Sequence, residues 1–382
     1  MGCRRHFLNI LIVVIVREPK HKMEIPVWVA TASFVEIGST KSRVACQTPT
    51  NTPKKWASSL IVVDAKLLRR FALACAMYRR LLFVGLFLAV LCSPDLARAQ
   101  FTDPRAYDNT PVGVSQLELA YDYAHANASV DTSLIIAGAE LNLNQVSPEY
   151  TRYFSFFHRT SWVNASVPLA GLNGSVNGTD IRGSVNGAGD SSYECAILVK
   201  GGPALSVRQF ANYRPTTSTG VSLTIVAPTG QYNANKVLNL GSNRWSLKPE
   251  IGISHPFGSK QKWVVDGYAN AYFFTDNTSY HGVEILRQQP LPGVEGHLSY
   301  SLTDNFWISL DTRYSFRGDT LVGSTDQNNP QQTFILGSEG NVAVNSRTQL
   351  VFKFAKALVH QNSPAYAGFS VEYIYSWGKG VR

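Results

Sequence analysis

The sequence has few cysteines and no long apolar run, and each shortage excludes a class of protein. Only one of the five cysteines, Cys195, lies beyond residue 99, so the rest of the chain can hold neither a disulfide framework nor a cysteine metal cluster. The longest apolar run is Leu81–Cys92. It is too short for a membrane-spanning helix, which takes about 20 residues. Beyond Gln100 no segment has the period of an amphipathic helix, which excludes a helical bundle.

Basic residues are in excess only at the start of the chain. Residues 1–99 hold 15 Lys and Arg against 5 Asp and Glu, whereas residues 100–382 hold 20 against 21. The overall charge of +9 therefore belongs to the first quarter. It predicts no nucleic-acid partner for the remainder.

The region around residue 77 has the order of a secretory signal. Met77-Tyr78-Arg79-Arg80 is basic, Leu81–Cys92 is apolar, and Ala97-Arg98-Ala99 matches a signal-peptidase site. We expect a signal peptide over 77–99, cleavage between Ala99 and Gln100, and one mature domain over 100–382. Residues 1–76 are interpreted as a mis-assigned start or a disordered extension, with a cytoplasmic or anchoring role as the alternative.

Period-two segments recur along the mature chain. In the last one, Phe369, Val371, Tyr373, Tyr375 and Trp377 alternate with small or polar residues, as in a strand with one apolar face. Twelve such segments are predicted, at 114–126, 145–157, 160–170, 191–199, 217–228, 244–256, 261–275, 290–302, 304–317, 331–344, 346–359 and 365–377.

The connections between these segments alternate in length. Four are tight turns, and 200–216 is the exception; five are long polar loops at 127–144, 171–190, 229–243, 276–289 and 318–330. A soluble sandwich gives no reason for this alternation, whereas outer-membrane barrels have short periplasmic turns and long extracellular loops. The sequence therefore predicts an all-β fold: a single transmembrane antiparallel up-and-down β-barrel of about twelve strands. The apolar part of 127–144 could fold inward and plug it.

The second face of the strands is polar and charged. Lysine or arginine on the lipid face costs about 2–4 kcal/mol at mid-depth, so this set must face inward. A soluble barrel would have the opposite orientation. Besides Glu118, Asp122 and Arg152, the predicted lumen-lining residues are Lys248, Glu250, Asp266, Glu295, Asp311, Arg313, Arg317, Arg347, Lys353 and Glu372.

A family resemblance rests on several short stretches in order. They are Val226–Tyr232, the Asn-Leu-Gly-Ser-Asn-Arg-Trp motif at 239–245, Lys248–Gly252, Phe274–Asn277 and the closing Tyr375–Gly378. Together they resemble the MetA-pathway phenol-degradation family. The resemblance implies a Gram-negative outer-membrane barrel described as a transporter. Its family-motif loop residues are Pro228, Gly230, Asn239, Gly241, Asn243, Arg244 and Trp245.

These observations favour a channel or transporter for small, and by the resemblance aromatic, solutes. The alternatives are a structural or adhesive barrel without transport and an outer-membrane lipase. His297 and Ser299 share one strand face, but that face is the inward one, and no Gly-x-Ser-x-Gly motif is present. We therefore predict no enzyme, catalytic residue, metal or cofactor. The expected partners are outer-membrane lipid, the barrel assembly machinery during insertion and an unknown small solute.

Overall fold

Twelve strands of the described residues form a closed antiparallel barrel. The computed structural model describes residues 102–126, 139–176, 180, 182–236 and 238–381. Strands are numbered β1–β18 in chain order, and those of the barrel are β1 (Val114–Ala126), β2 (Ala139–Phe156), β3 (Arg159–Ser166), β6 (Ser191–Lys200), β7 (Ser218–Ala227), β8 (Ser246–Phe257), β9 (Trp263–Phe274), β12 (Leu291–Ser301), β13 (Phe306–Arg317), β16 (Gln331–Ala343), β17 (Thr348–Gln361) and β18 (Tyr366–Gly378).

The first and last strands close the ring. β1 pairs with β18 from Val114↔Gly378 to Ala126↔Tyr366, and its other edge pairs with β2. This confirms the predicted twelve-stranded barrel, including its closing pair. The predicted signal peptide and residues 1–76 lie outside the described residues, as do residues 127–138 of the predicted 127–144 loop.

The two faces of the barrel wall differ as membrane exposure requires. On β18, Ser370 and Glu372 are fully buried, whereas Val371, Tyr373 and Trp377 are 37–46% exposed on the outside. The same contrast of buried polar and exposed apolar residues holds on β1, β8 and β12. The orientation is therefore that of a barrel in lipid, and not the inverted one of a soluble barrel.

One end of the barrel carries the tight turns. The β2–β3 turn consists of Phe157 and His158, which both have positive φ, as a two-residue type I′ hairpin requires. The β6–β7 connection is longer and contains a four-residue helix, α1 (Val207–Phe210), capped by Ser206. By the rule for outer-membrane barrels this is the periplasmic end. No helix among the described residues is long and apolar enough to cross a membrane.

The opposite end has additional strands. β4 (Leu169–Val176) and β5 (Arg182–Ala188) form a hairpin that pairs with the start of β2. The prediction of a long polar loop over 171–190 was therefore wrong: residues 169–176 and 182–188 form paired strands, where Val185 and Leu172 are buried with Leu141 and Leu240. A second, four-stranded sheet is formed by β10 (Asn277–Tyr280), β11 (Glu284–Gln288), β14 (Thr320–Val322) and β15 (Thr325–Asp326).

Candidate functional site

A segment that precedes the first strand lies inside the barrel. This luminal segment, residues 102–112, passes the β6–β7 connection at the periplasmic end, where the Val112 amide donates to the Leu205 carbonyl at 2.8 Å. At its inner end the Thr102 amide donates to Glu295 Oε2 and its hydroxyl donates to Glu250 Oε2, both at 2.8 Å. The segment therefore extends from the periplasmic mouth to charged residues on the wall.

Arg105 bonds the luminal segment to several strands of the wall. Its Nε donates to Ser299 Oγ at 2.7 Å and its Nη2 donates to Ser301 Oγ at 3.2 Å. The guanidinium carbon lies 4.7 Å from the centroid of the Trp307 ring. The backbone amide of the same residue donates to Asp266 Oδ2 at 3.2 Å. Arg105 thus joins the segment to β9, β12 and β13.

Tyr107 fills a slot that two glycines leave in the wall. Its ring packs edge-on against Tyr268 and Trp162, and its hydroxyl donates to Glu250 Oε1 at 3.0 Å. A Cβ added to Gly220 would come within 2.4 Å of the Tyr107 ring, and one added to Gly252 within 2.2 Å. Because both positions face inward, any larger residue there would expel the tyrosine from its slot.

Asp108 binds the wall from the part of the luminal segment that is nearer the periplasmic mouth. Its Oδ1 accepts a hydrogen bond from Ser254 Oγ at 2.6 Å. Burial raises the pKa of the Asp108 carboxyl above its usual value, while the Ser254 hydroxyl and the positive charge of Arg105 act in the opposite direction. Nearby, Ser218 donates to the Tyr107 carbonyl at 2.6 Å.

Two charge networks cross the lumen. In the first, Lys353 Nζ lies 2.7 Å from Asp103 Oδ1, 2.8 Å from Glu372 Oε1 and 4.0 Å from Glu339 Oε2. In the second, Arg313 Nη1 lies 3.3 Å from Glu295 Oε1. The first network includes Asp103, so it also ties the luminal segment to β17 and β18.

The second network continues through His297. Its Nδ1 lies 2.9 Å from Asp311 Oδ1, and its Nε2 lies 3.8 Å from Glu295 Oε2. The hydroxyl of Ser299, two residues along, accepts the Arg105 hydrogen bond. His297 therefore takes part in an ion-pair network, and Ser299 binds the luminal segment. Ser299 faces the lumen and not lipid, so it does not have the placement that a lipase nucleophile needs.

Seven of the ten predicted lumen-lining residues bond to one another or to the luminal segment. They are Lys248, Glu250, Asp266, Glu295, Arg313, Lys353 and Glu372. Asp311 is also buried on this wall, but its partners are His297 and Ser309. Arg317 and Arg347 differ, because both are exposed at strand ends. Arg317 has a φ of 69° where β13 ends, and Arg347 lies in the β16–β17 turn, where the strict alternation of strand faces stops.

Arg152 also departs from the predicted set. It is exposed, occupies the outward register of β2, and its Nη1 donates to Ser115 Oγ at 2.9 Å. A long basic side chain near a membrane interface can keep its charge in water while its stem lies along the strand. The rule that charged residues face inward placed Arg152 on the wrong face, since alternation puts it on the same face as the exposed Tyr150.

The family-motif loop is held by hydrogen bonds within the protein. Asp190 accepts from the Gly230 amide at 2.8 Å and from the amide and hydroxyl of Ser242 at 2.8 and 2.7 Å. A Cβ at Gly241 would lie 2.8 Å from the Gly230 backbone, so the close approach there requires glycine. Sequence reasoning missed Asp190, because the residue was assigned to the long polar loop 171–190.

The asparagines of the motif bond to their own loop. Asn239 accepts from the Asn233 amide at 2.7 Å, and Asn243 donates to Asn277 Oδ1 at 2.8 Å. Two further motif residues are Pro228, which follows the end of β7, and Trp245, which is 49% exposed and whose amide donates to Thr275 Oγ1 at 3.0 Å. Asn239 and Asn243 thus have structural bonds within the loops.

Arginine and aromatic side chains line the extracellular half of the lumen. Arg244 is buried, donates to Gln288 Oε1 at 2.7 Å, and lies 4.5 Å from the Phe274 ring. Phe274 stacks on Tyr272 at 6.2 Å, and Arg313 lies 5.8 Å from the Tyr272 ring. The described residues contain no group of three His, Cys, Asp or Glu side chains placed to hold a metal ion.

Comparison with solved structures shows the fold. The COG4313 outer membrane channel from Pseudomonas putida F1 is similar with a TM-score of 0.62 at 20% identity, covering 72% of this chain and all of that one. The beta domain of the Bordetella autotransporter BrkA (TM-score 0.43, 10% identity, 69% of this chain, 100% of that one) is more distant. So is the CymD monoaromatic hydrocarbon channel (0.38, 10%, 70% and 90%). These two weaker likenesses carry no inference about function.

No curated protein sequence matches this chain. A family model does match it, over residues 124–373, which is more than half of its length and includes ten complete barrel strands, β2 to β17, with the end of β1 and most of β18. The match includes the loop that Asp190 holds and most of the charged wall. This outer-membrane β-barrel therefore belongs to the family described as "Putative MetA-pathway of phenol degradation".

Proposed function

We propose that the protein is an outer-membrane channel for small solutes and that the luminal segment is its constriction. The observation that carries the proposal is a closed barrel whose interior is lined by charged and aromatic side chains, with a segment of the chain held across it. Family membership and the fold shared with an outer membrane channel support the same function. A secretory signal over 77–99 accounts for export to that membrane.

The lumen chemistry favours small anions that carry an aromatic ring. Arg244 and Arg313 each lie beside an aromatic face, and a ring on a solute could stack where Phe274 and Tyr272 stack. Fixed positive charge next to these rings raises the local concentration of anions. A benzoate-like solute matches both features.

Solute uptake into proteoliposomes tests this function. We expect vesicles containing the folded barrel to take up benzoate faster than a neutral sugar of similar size, and Arg313→Gln to reduce that preference. Glu284→Gln, at an exposed position on β11, is the matched control. Equal permeability to both solutes would contradict the solute class, and no uptake of either would contradict the channel.

A structural barrel without transport is the rival function. It is favoured by the luminal segment itself, because the hydrogen bonds of Thr102, Arg105, Tyr107 and Asp108 fill part of the interior. The two functions differ in whether removal of the segment exposes a conducting path. The proposed role is not enzymatic in either case, and Ser299 is occupied by Arg105.

A further inference from the structure

The tight turns of the barrel carry a strong excess of positive charge. The connections at 157–158, 201–217, 258–262, 302–305, 344–347 and 379–381 contain six Lys and Arg residues and one acidic residue, Asp304. None of the six forms a salt bridge with another described residue. The six cations are Arg208, Arg214, Lys260, Lys262, Arg347 and Lys379.

Four of these cations lie on neighbouring connections. The β6–β7 connection carries Arg208 and Arg214, and the β8–β9 turn carries Lys260 and Lys262. Gln261 Nε2 donates to the Pro215 carbonyl at 2.7 Å, so the two connections are in direct contact. Arg208, Arg214 and Lys260 are exposed. The rim therefore has a basic patch between β7 and β9.

The β8–β9 turn is shaped to present its side chains outward. Gly258, Lys260 and Gln261 all have positive φ, between 51° and 79°, which few non-glycine residues adopt. Lys262 donates to the Leu302 carbonyl at 3.3 Å, which fixes the turn against the next one. This backbone holds the two lysines at the rim beside Arg214.

Aromatic rings continue from the turn along the lipid-facing surface. His255, Phe257, Trp263 and Tyr300 lie in a row on β8, β9 and β12, with centroid separations of 6.1, 6.2 and 4.6 Å. The exposed register of β8 and β12 places these rings on the outside of the barrel. Rings of this kind occupy the headgroup level of a bilayer.

We propose that this rim patch binds the headgroup of an anionic phospholipid in the periplasmic leaflet. Arg214, Lys260 and Lys262 contact the phosphate, and the aromatic row packs against the glycerol and the upper acyl chains. A free phosphate ion would use only the cations, whereas the adjoining aromatic row selects a molecule that is both anionic and lipid. The inference rests on the outer-membrane placement of the barrel and is independent of transport.

Native mass spectrometry of the purified barrel tests this site. Phosphatidylglycerol should bind more tightly than phosphatidylcholine, and the triple change Arg214→Gln, Lys260→Gln and Lys262→Gln should weaken it. Because each basic residue near an anionic headgroup contributes severalfold to affinity, the combined loss should be about a hundredfold. Binding should also weaken as salt concentration rises.

A matched variant separates a specific site from total charge. Arg152→Gln, Arg347→Gln and Lys379→Gln remove the same charge from exposed positions elsewhere on the barrel, and should leave the affinity within about twofold, since screened charges contribute little. Equal loss in both variants, equal affinity for the two lipids, or competition by inorganic phosphate would overturn the proposal. Heat-modifiable migration on gels checks that each variant is folded. Conductance of the same samples tests the channel separately, so loss of lipid binding with normal conductance concerns the lipid site alone.

Discussion

Replacing Arg105 by alanine should release the luminal segment without unfolding the barrel. The change removes two side-chain hydrogen bonds, to Ser299 and Ser301, and the contact with the Trp307 ring. Each hydrogen bond to a charged group contributes about 1.5–3 kcal/mol, but the serine hydroxyls are rehydrated when the segment leaves. The cation–π contact adds about 0.5–2 kcal/mol.

Together these changes should destabilise the bound segment by about 3 kcal/mol. That energy corresponds to about a hundredfold shift in the equilibrium between bound and released segment. Hydrogen–deuterium exchange measures that equilibrium directly, because the amide of Thr102 exchanges only when its bond to Glu295 opens. We expect amides of residues 102–112 to exchange about a hundredfold faster in the variant. Amides of β17 should keep their rates.

Arg208→Ala is the matched control, since Arg208 is exposed on α1 and has none of these contacts. Its exchange pattern should equal that of the unmodified protein. The reasoning is refuted if Arg105→Ala leaves the segment as slow as before, or if exchange rises equally throughout the barrel strands.

Three further changes test other parts of the structure. Glu295→Gln leaves Arg313 buried without its ion-pair partner and should cost about 3–5 kcal/mol, seen as a lower urea midpoint of unfolding that the exposed Glu284→Gln does not show. Asp190→Asn removes an acceptor of hydrogen bonds from two loop residues and should cost about 1.5–3 kcal/mol locally. Protease cleavage between 228 and 245 should then be faster. The control variant Asp180→Asn, at an exposed position, should be cleaved at the original rate. Phe352→Ser, on the lipid face, should lower folding yield in vesicles by removing about 2 kcal/mol of apolar burial while ion selectivity stays the same.

Strand number, closure and wall orientation could be predicted from sequence because each depends on a local pattern. Alternation such as Phe369 to Trp377 defines two faces, and the alternating connection lengths define two ends. The same local rule failed where strands end. Arg317 is the last paired residue of β13 and Arg347 lies in the β16–β17 turn, and both side chains are exposed.

The luminal segment could not be predicted in the same way. Residues 102–112 have no period, and the bonds of Thr102 are with Glu250 and Glu295, which lie more than 100 positions later in the chain. The one local signal was the pair of inward glycines, Gly220 and Gly252, which leave room for a ring. A glycine on a charged strand face indicates that another group packs closely against the strand. It does not indicate that this group is Tyr107.

Single-channel conductance tests the central claim most directly, namely that the barrel interior is a path narrowed by its own chain. The folded protein and a variant without residues 100–108 would be recorded in the same planar bilayer, with Arg208→Ala as a control. We predict a small conductance for the intact protein and a severalfold larger one for the shortened variant, because the bonds of Thr102, Arg105 and Tyr107 no longer cross the lumen. Equal conductance in the two proteins, or none in either, would contradict the account.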